Sequence, residues 1–191
     1  MAEVLLFHHA LGLTPGCLAF ADELRSAGHL VHVPDLYDGN VFDELPEGVG
    51  YAEKLGFDAV IAQGQAIAEG LPAGLVYAGF SLGALPAQML AQRRPGAKGA
   101  LLFHSAVPPS EFGGAWPAEV PVQIHIMDRD EIALEGDLAV ARELAATVER
   151  AEAFEYPGDR HLFVDRGLPD YDEAAAALLT RRVLSFLEEI R

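Results

Sequence analysis

Residues 74–83 read Gly74-Leu75-Val76-Tyr77-Ala78-Gly79-Phe80-Ser81-Leu82-Gly83, an apolar run that ends in a serine held between two glycines. The pentapeptide Gly79–Gly83 fits G-x-S-x-G, the turn that lifts a nucleophilic serine between a strand and a helix. That turn forces the serine into a strained backbone region. A side chain at either flanking position would collide with the neighbouring strand or helix, so each glycine has a steric reason. Both flanks match: an apolar, β-rich run precedes the turn, and Leu82–Arg93 follows with helical patterning. Pro86 falls within about the first four or five helical positions, where its missing N–H breaks nothing.

Away from this turn, short β-rich runs alternate with longer helical patterns, the signature of a parallel sheet with crossover helices. Strands are predicted at Val4–His8, Leu30–Pro34, Leu75–Gly79, Gly99–His104, Pro121–Ile126 and Ala153–Tyr156. Helices are predicted at Gly16–Ala27, Tyr51–Gly70, Leu82–Arg93, Gly136–Arg150 and Tyr171–Arg191. Two loops follow strands and carry turn chemistry: Tyr37 to Gly50 and Pro108 to Pro121. Both belong at the carboxyl edge of the sheet, where open α/β folds bind ligands. The fold class is therefore α/β: a mostly parallel sheet of about six strands with helices on both faces, in one domain over residues 1–191.

A chain of 191 residues can bury its core without staples. Its single cysteine, Cys17, excludes a disulfide framework and a cysteine-based metal site; on a helix it reads as a small buried apolar residue. A reducing compartment suits it, and the cytoplasm is the default expectation. The formal charge of −16 argues against nucleic acid and anionic membranes as partners. Val4–Phe7 is too short for a membrane span and lacks the flanks of a signal peptide.

A serine hydroxyl needs an adjacent base, usually histidine, oriented by a carboxylate. In folds built on this turn the chain order is serine, acid, histidine. Of His104, His125 and His161, only His161 also follows a carboxylate at the end of a later strand. Taken alone, a histidine in such a loop is ordinarily a solvent-exposed one; the order makes it the base. The strand Val122–Ile126 runs into Met127-Asp128-Arg129-Asp130-Glu131. Asp130 is favoured as the acid and Asp128 is the alternative, since one of the two can simply cap the turn; Glu131 reads as a solvated charge. The Leu82 N–H and the Ala10 N–H are the expected oxyanion donors. His8 and His9 point to opposite faces if the strand stays regular, so they do not share a metal ion. His9 is instead expected to line the mouth of the site, with Leu11, Phe80, Phe112 and Trp116 as further substrate-binding residues. Ser105, beside His104, lacks the paired glycines.

These segments resemble the dienelactone hydrolase family of the α/β-hydrolase superfamily over nearly the whole chain. The matching stretches are Phe7–Pro15, Gly28–Tyr37, Gly79–Gly83, Pro157–Phe163 and Leu168–Asp172. The resemblance implies an α/β-hydrolase fold, from which this chain departs in lacking the superfamily's opening strands. It also implies a cofactor-free hydrolase of esters or lactones, with Ser81, Asp130 and His161 as its triad. The founding activity uses cysteine in the turn, where this chain has Ser81. A glutamate beside that cysteine is replaced by His9. The expected activity is cleavage of a small carboxylic ester, thioester or lactone through an acyl-enzyme. The alternatives are acyl transfer by the same residues and a binding protein that kept the fold.

Overall fold

The computed structural model describes residues 1–190. Six strands form one sheet: β1 (Glu3–Phe7), β2 (Leu30–His32), β3 (Val76–Phe80), β4 (Gly99–Phe103), β5 (Val122–Met127) and β6 (Ala151–Tyr156). The order is β2-β1-β3-β4-β5-β6 and every neighbouring pair is parallel. The order reverses between β1 and β3, so the crevice beyond their carboxyl ends is the switch point where such sheets bind ligands.

The strand period of two sorts the core. On one face Leu5, Phe7, Tyr77, Leu102 and Ile124 pack beneath α3 (Phe57–Glu69), α4 (Ala84–Arg93) and α6 (Asp137–Thr147). On the other, Val4, Leu6, Ala78, Leu101 and Phe103 pack beneath α1 (Pro15–Ser26) and α7 (Glu173–Glu189). Both faces of the central strands are covered, which is why they read as unbroken apolar runs rather than as alternation.

Two expectations need correction. The single helix predicted at Tyr51–Gly70 is two helices, α2 (Leu45–Leu55) and α3, because Gly56 between them takes φ +87°. A left-handed residue ends a helix, and the apolar period alone cannot register it. The Tyr37–Gly50 loop is correspondingly shorter, with Pro46 seated in the first turn of α2. At Gly48 a Cβ would lie 2.2 Å from the Ala10 carbonyl oxygen, so the backbone of α2 touches the loop after β1. A further short helix, α5 (Glu131–Leu134), fills the region between β5 and α6.

Candidate active site

The turn after β3 has the steric logic its sequence implies. Ser81 sits at φ +49°, a conformation worth about 1–3 kcal/mol of strain for a non-glycine residue. A Cβ at Gly79 would lie 2.0 Å from the Gly83 carbonyl oxygen, and one at Gly83 would lie 2.5 Å from the Phe7 carbonyl oxygen. Backbone packs against backbone on both sides, and this holds the strained serine in place. A 3₁₀ turn at Ser81–Gly83 leads into α4, which leaves the Leu82 N–H at the start of the helical segment.

Ser81 Oγ donates to His161 Nε2 at 2.7 Å, and His161 Nδ1 donates to Asp130 Oδ2 at 2.6 Å. The second Asp130 oxygen accepts from the N–H groups of Ile132 at 3.0 Å and Ala133 at 3.4 Å, so the carboxylate also caps α5. Both His161 and Asp130 are buried, and the hydrogen bond between them is fixed at both ends. Asp128 is not brought to this histidine. Its Oδ1 accepts from the Gly158 N–H at 2.9 Å and braces the loop that carries His161.

The loop after β1 is anchored by His8, whose Nδ1 donates to the His9 carbonyl oxygen at 2.7 Å while Nε2 accepts from Leu36 N–H at 3.0 Å. Burial pushes this imidazole down to about 4, so the ring stays neutral and can do both. Among the described residues the Ala10 N–H has no protein acceptor.

Of the five proposed wall residues, His9, Leu11, Phe80 and Trp116 are buried and Phe112 is partly buried. His9 is 1% exposed and its Nε2 donates to Asp165 Oδ2 at 2.9 Å. Leu11 is buried, and its carbonyl oxygen accepts from Phe42 N–H at 2.9 Å. Phe80 falls on the α1/α7 face and packs edge-on against Phe20, as the strand period dictates. Trp116 is a core residue whose Nε1 donates to Val120 O at 2.7 Å. Phe112 borders a groove between α3 and α4 with Ile61, Met89 and Arg93.

Three features escaped the sequence. Burial pushes the His9 ring down, but Cys17 and the hydrogen-bonded Asp165 outweigh it and raise it to about 9. Asp165 is itself held below the usual carboxylate range: burial raises it, and bonds from His9, Thr14 and Gly167 more than offset that. A second group lies at the end of β4, two strands from β1. His104 leaves β4 at φ +70°, and its Nδ1 is the one buried side-chain nitrogen or oxygen without a partner among the described residues. Its ring centroid lies 5.8 Å from that of His161, and burial, with the neighbouring histidines, keeps it neutral. Next to it, Ser105 Oγ and Ala106 N–H both donate to Asp137 Oδ1. Only Asp165 had a usable signal, a carboxylate four residues past His161.

His9, Cys17 and Asp165 place a nitrogen, a sulfur and an oxygen within 4.8 Å of one another, a donor set that suits zinc. The nitrogen that would bind it, His9 Nε2, already donates to Asp165. The cluster fits a hydrogen-bonded pair better than an ion.

The model of the dienelactone hydrolase family matches residues 1–191. The chain belongs to the dienelactone hydrolase family. Solved structures agree on the fold. A candidate dienelactone hydrolase from Klebsiella pneumoniae subsp. pneumoniae MGH 78578 is 20% identical, with TM-score 0.75 and coverage of 99% of this chain and 87% of that one. The dienelactone hydrolase-like promiscuous phosphotriesterase P91 from metagenomic libraries is 19% identical, with TM-score 0.72 and coverage of 100% and 87%. Esterase PE8 is 18% identical, with TM-score 0.65 and coverage of 100% and 93%. No curated protein matches the chain. The α/β-hydrolase fold assigned from sequence is thus shared with this dienelactone hydrolase family member's structural neighbours, and no helix is long and apolar enough to cross a membrane.

Proposed function

We propose that this dienelactone hydrolase family member is a serine hydrolase that cleaves a small carboxylic ester, thioester or lactone. The observation that carries the reading is the unbroken chain from Ser81 Oγ through His161 to Asp130, mounted on a left-handed turn at the switch point of the sheet. His161 Nε2 takes the hydroxyl proton as Ser81 Oγ bonds to the substrate carbonyl carbon, and the carbonyl electron pair moves onto oxygen. The N–H groups of Leu82 and Ala10 receive that oxyanion. Collapse breaks the bond to the alkoxide or thiolate, which leaves with the proton from His161. Water then repeats the sequence on the acyl-enzyme and frees the acid. Asp130 holds the Nδ1–H tautomer throughout and stabilises the imidazolium. Esterase PE8 among the structural neighbours, and the family itself, support an ester-type substrate.

A fluorophosphonate probe with peptide mapping tests the chemistry. One adduct, on Ser81 of the folded protein, is expected; none would remove the nucleophile from the proposal. A panel of aryl esters, thioesters and lactones, assayed with wild type and Ser81→Ala, then defines the substrate class.

A further inference from the structure

Asp165 is a carboxylate shared by three segments that the chain keeps far apart. It lies four residues beyond His161, in the loop between β6 and α7. Within that loop its Oδ1 accepts from Gly167 N–H at 2.8 Å, and its backbone N–H donates to Leu162 O at 3.0 Å. Its Oδ2 accepts from Thr14 Oγ1 at 2.5 Å, and Thr14 caps α1. The same oxygen accepts from His9 Nε2 at 2.9 Å. The fit to α1 is close: a Cβ at Gly16 would lie 1.6 Å from Asp165 Oδ1. The carboxylate therefore occupies the space of the missing side chain on the first turn of the helix.

His9 completes the link on the other side. It immediately precedes Ala10, and its Nδ1 lies 3.3 Å from Leu11 N–H, so the ring brackets the residue whose N–H is the second oxyanion donor. The Nε2–H bond to Asp165 is present whether the ring is neutral or protonated; only the Leu11 bond requires the neutral form. One buried pair thus ties the loop that holds Ala10 to the loop that holds His161.

We propose that His9 and Asp165 are positioning residues that fix the separation between the oxyanion donor at Ala10 and the base at His161. This inference rests on the acyl-enzyme reading above. Neither residue touches substrate; both are buried. Since a misplacement of about 1 Å in a catalytic group lowers a rate on the order of 100-fold, loss of the link is read in turnover rather than in binding.

The test compares wild type, His9→Phe, Asp165→Asn and the double variant on one aryl ester. Active sites are counted by fluorophosphonate titration, and affinity is measured for an aryl trifluoromethyl ketone, whose adduct on Ser81 carries the oxyanion. In His9→Phe, kcat per titrated site should fall about 100-fold, with KM within roughly threefold and ketone affinity falling in parallel. Asp165→Asn, which keeps the shape and an acceptor oxygen, should lose less. The double variant should be no worse than His9→Phe, as coupled partners require. If His9→Phe does not fold, Asp165→Asn still carries the test through its ketone affinity. Folded variants with wild-type kcat per site and wild-type ketone affinity, only less heat-stable, would make the pair a structural staple and overturn the proposal. Absence of any Ser81 adduct in wild type is a different failure: it removes the acyl-enzyme reading, and this inference with it.

Discussion

Two serines stand at the carboxyl ends of neighbouring strands, and they meet opposite partners. Ser81 follows β3 on a left-handed backbone and donates to an imidazole nitrogen. Ser105 follows β4, one residue after the left-handed His104, and donates straight to the Asp137 carboxylate. The backbone device is similar; the chemistry is not. A neutral imidazole can take the serine proton near neutral pH and return it to a leaving group. The Asp137 carboxylate accepts from the Ser105 hydroxyl and the Ala106 N–H, and these bonds tie the β4 exit to α6. A serine at a strained strand end is thus not enough. On the function proposed above, the partner decides whether it is a nucleophile or a brace.

Substitution of the two serines should break the symmetry furthest. Ser81→Ala should lower kcat at least about 10⁴-fold, whereas Ser105→Ala should stay within a few-fold, measured on the same ester. Labelling by the phosphonate should follow the same split, with Ser105 left untouched. Among the acids, Asp130→Asn should lower kcat on the order of 10⁴-fold and Asp128→Asn only a few-fold, since only Asp130 reaches the His161 ring. Parity of the two asparagine variants would break the assignment of Asp130.

The buried His104 at the β4 exit is one of three histidines that resist protonation. His8 and His125 are pushed down by burial to about 4 and about 3, and His104 is likewise pushed well below its ordinary value. Below about pH 6.5 the unfolded chain takes up protons that these folded rings refuse, so stability is full above that pH and falls as pH drops towards 4. For His8 alone the loss is on the order of 3 kcal/mol. His104→Gln removes one refused proton and should make the acid limb of a urea-unfolding series measurably shallower. An unchanged slope would mean that His104 is not buried as a neutral ring. Smaller still, Asp137→Asn should cost about 1–3 kcal/mol of stability by weakening the bonds from Ser105 and Ala106 while leaving the phosphonate reaction intact. The smallest stability change is at the turn itself: Ser81→Gly should raise stability by about 1 kcal/mol, because glycine accepts φ +49° without strain.

The legible parts of this molecule are those whose causes are local. The turn at Gly79–Gly83 could be read because its steric demand lies within five residues, and the parallel sheet because both faces of its strands are buried. The choice between Asp128 and Asp130 could not, since each lies near the end of β5 and the decision belongs to where the His161 loop crosses. Capping and orienting looked like rival roles for these two carboxylates. Asp130 performs both, with one oxygen for each. The burial of two aromatic residues was illegible for another reason. An aromatic side chain suits a core as well as a cleft, and Phe80 and Trp116 went to the core. The pairing of His9 with Asp165 spans 156 residues, a separation that no pattern in one chain marks.

The carboxylate seated against Gly16 has a consequence for descent. A position where Oδ1 of Asp165 stands 1.6 Å from a would-be Cβ cannot drift on its own. A lineage that trades this glycine for alanine has to shorten residue 165 or turn its carboxylate away. The two sites should therefore change as a pair. An evolved relative with alanine at 16 and aspartate still at 165 would have had to rebuild the start of α1.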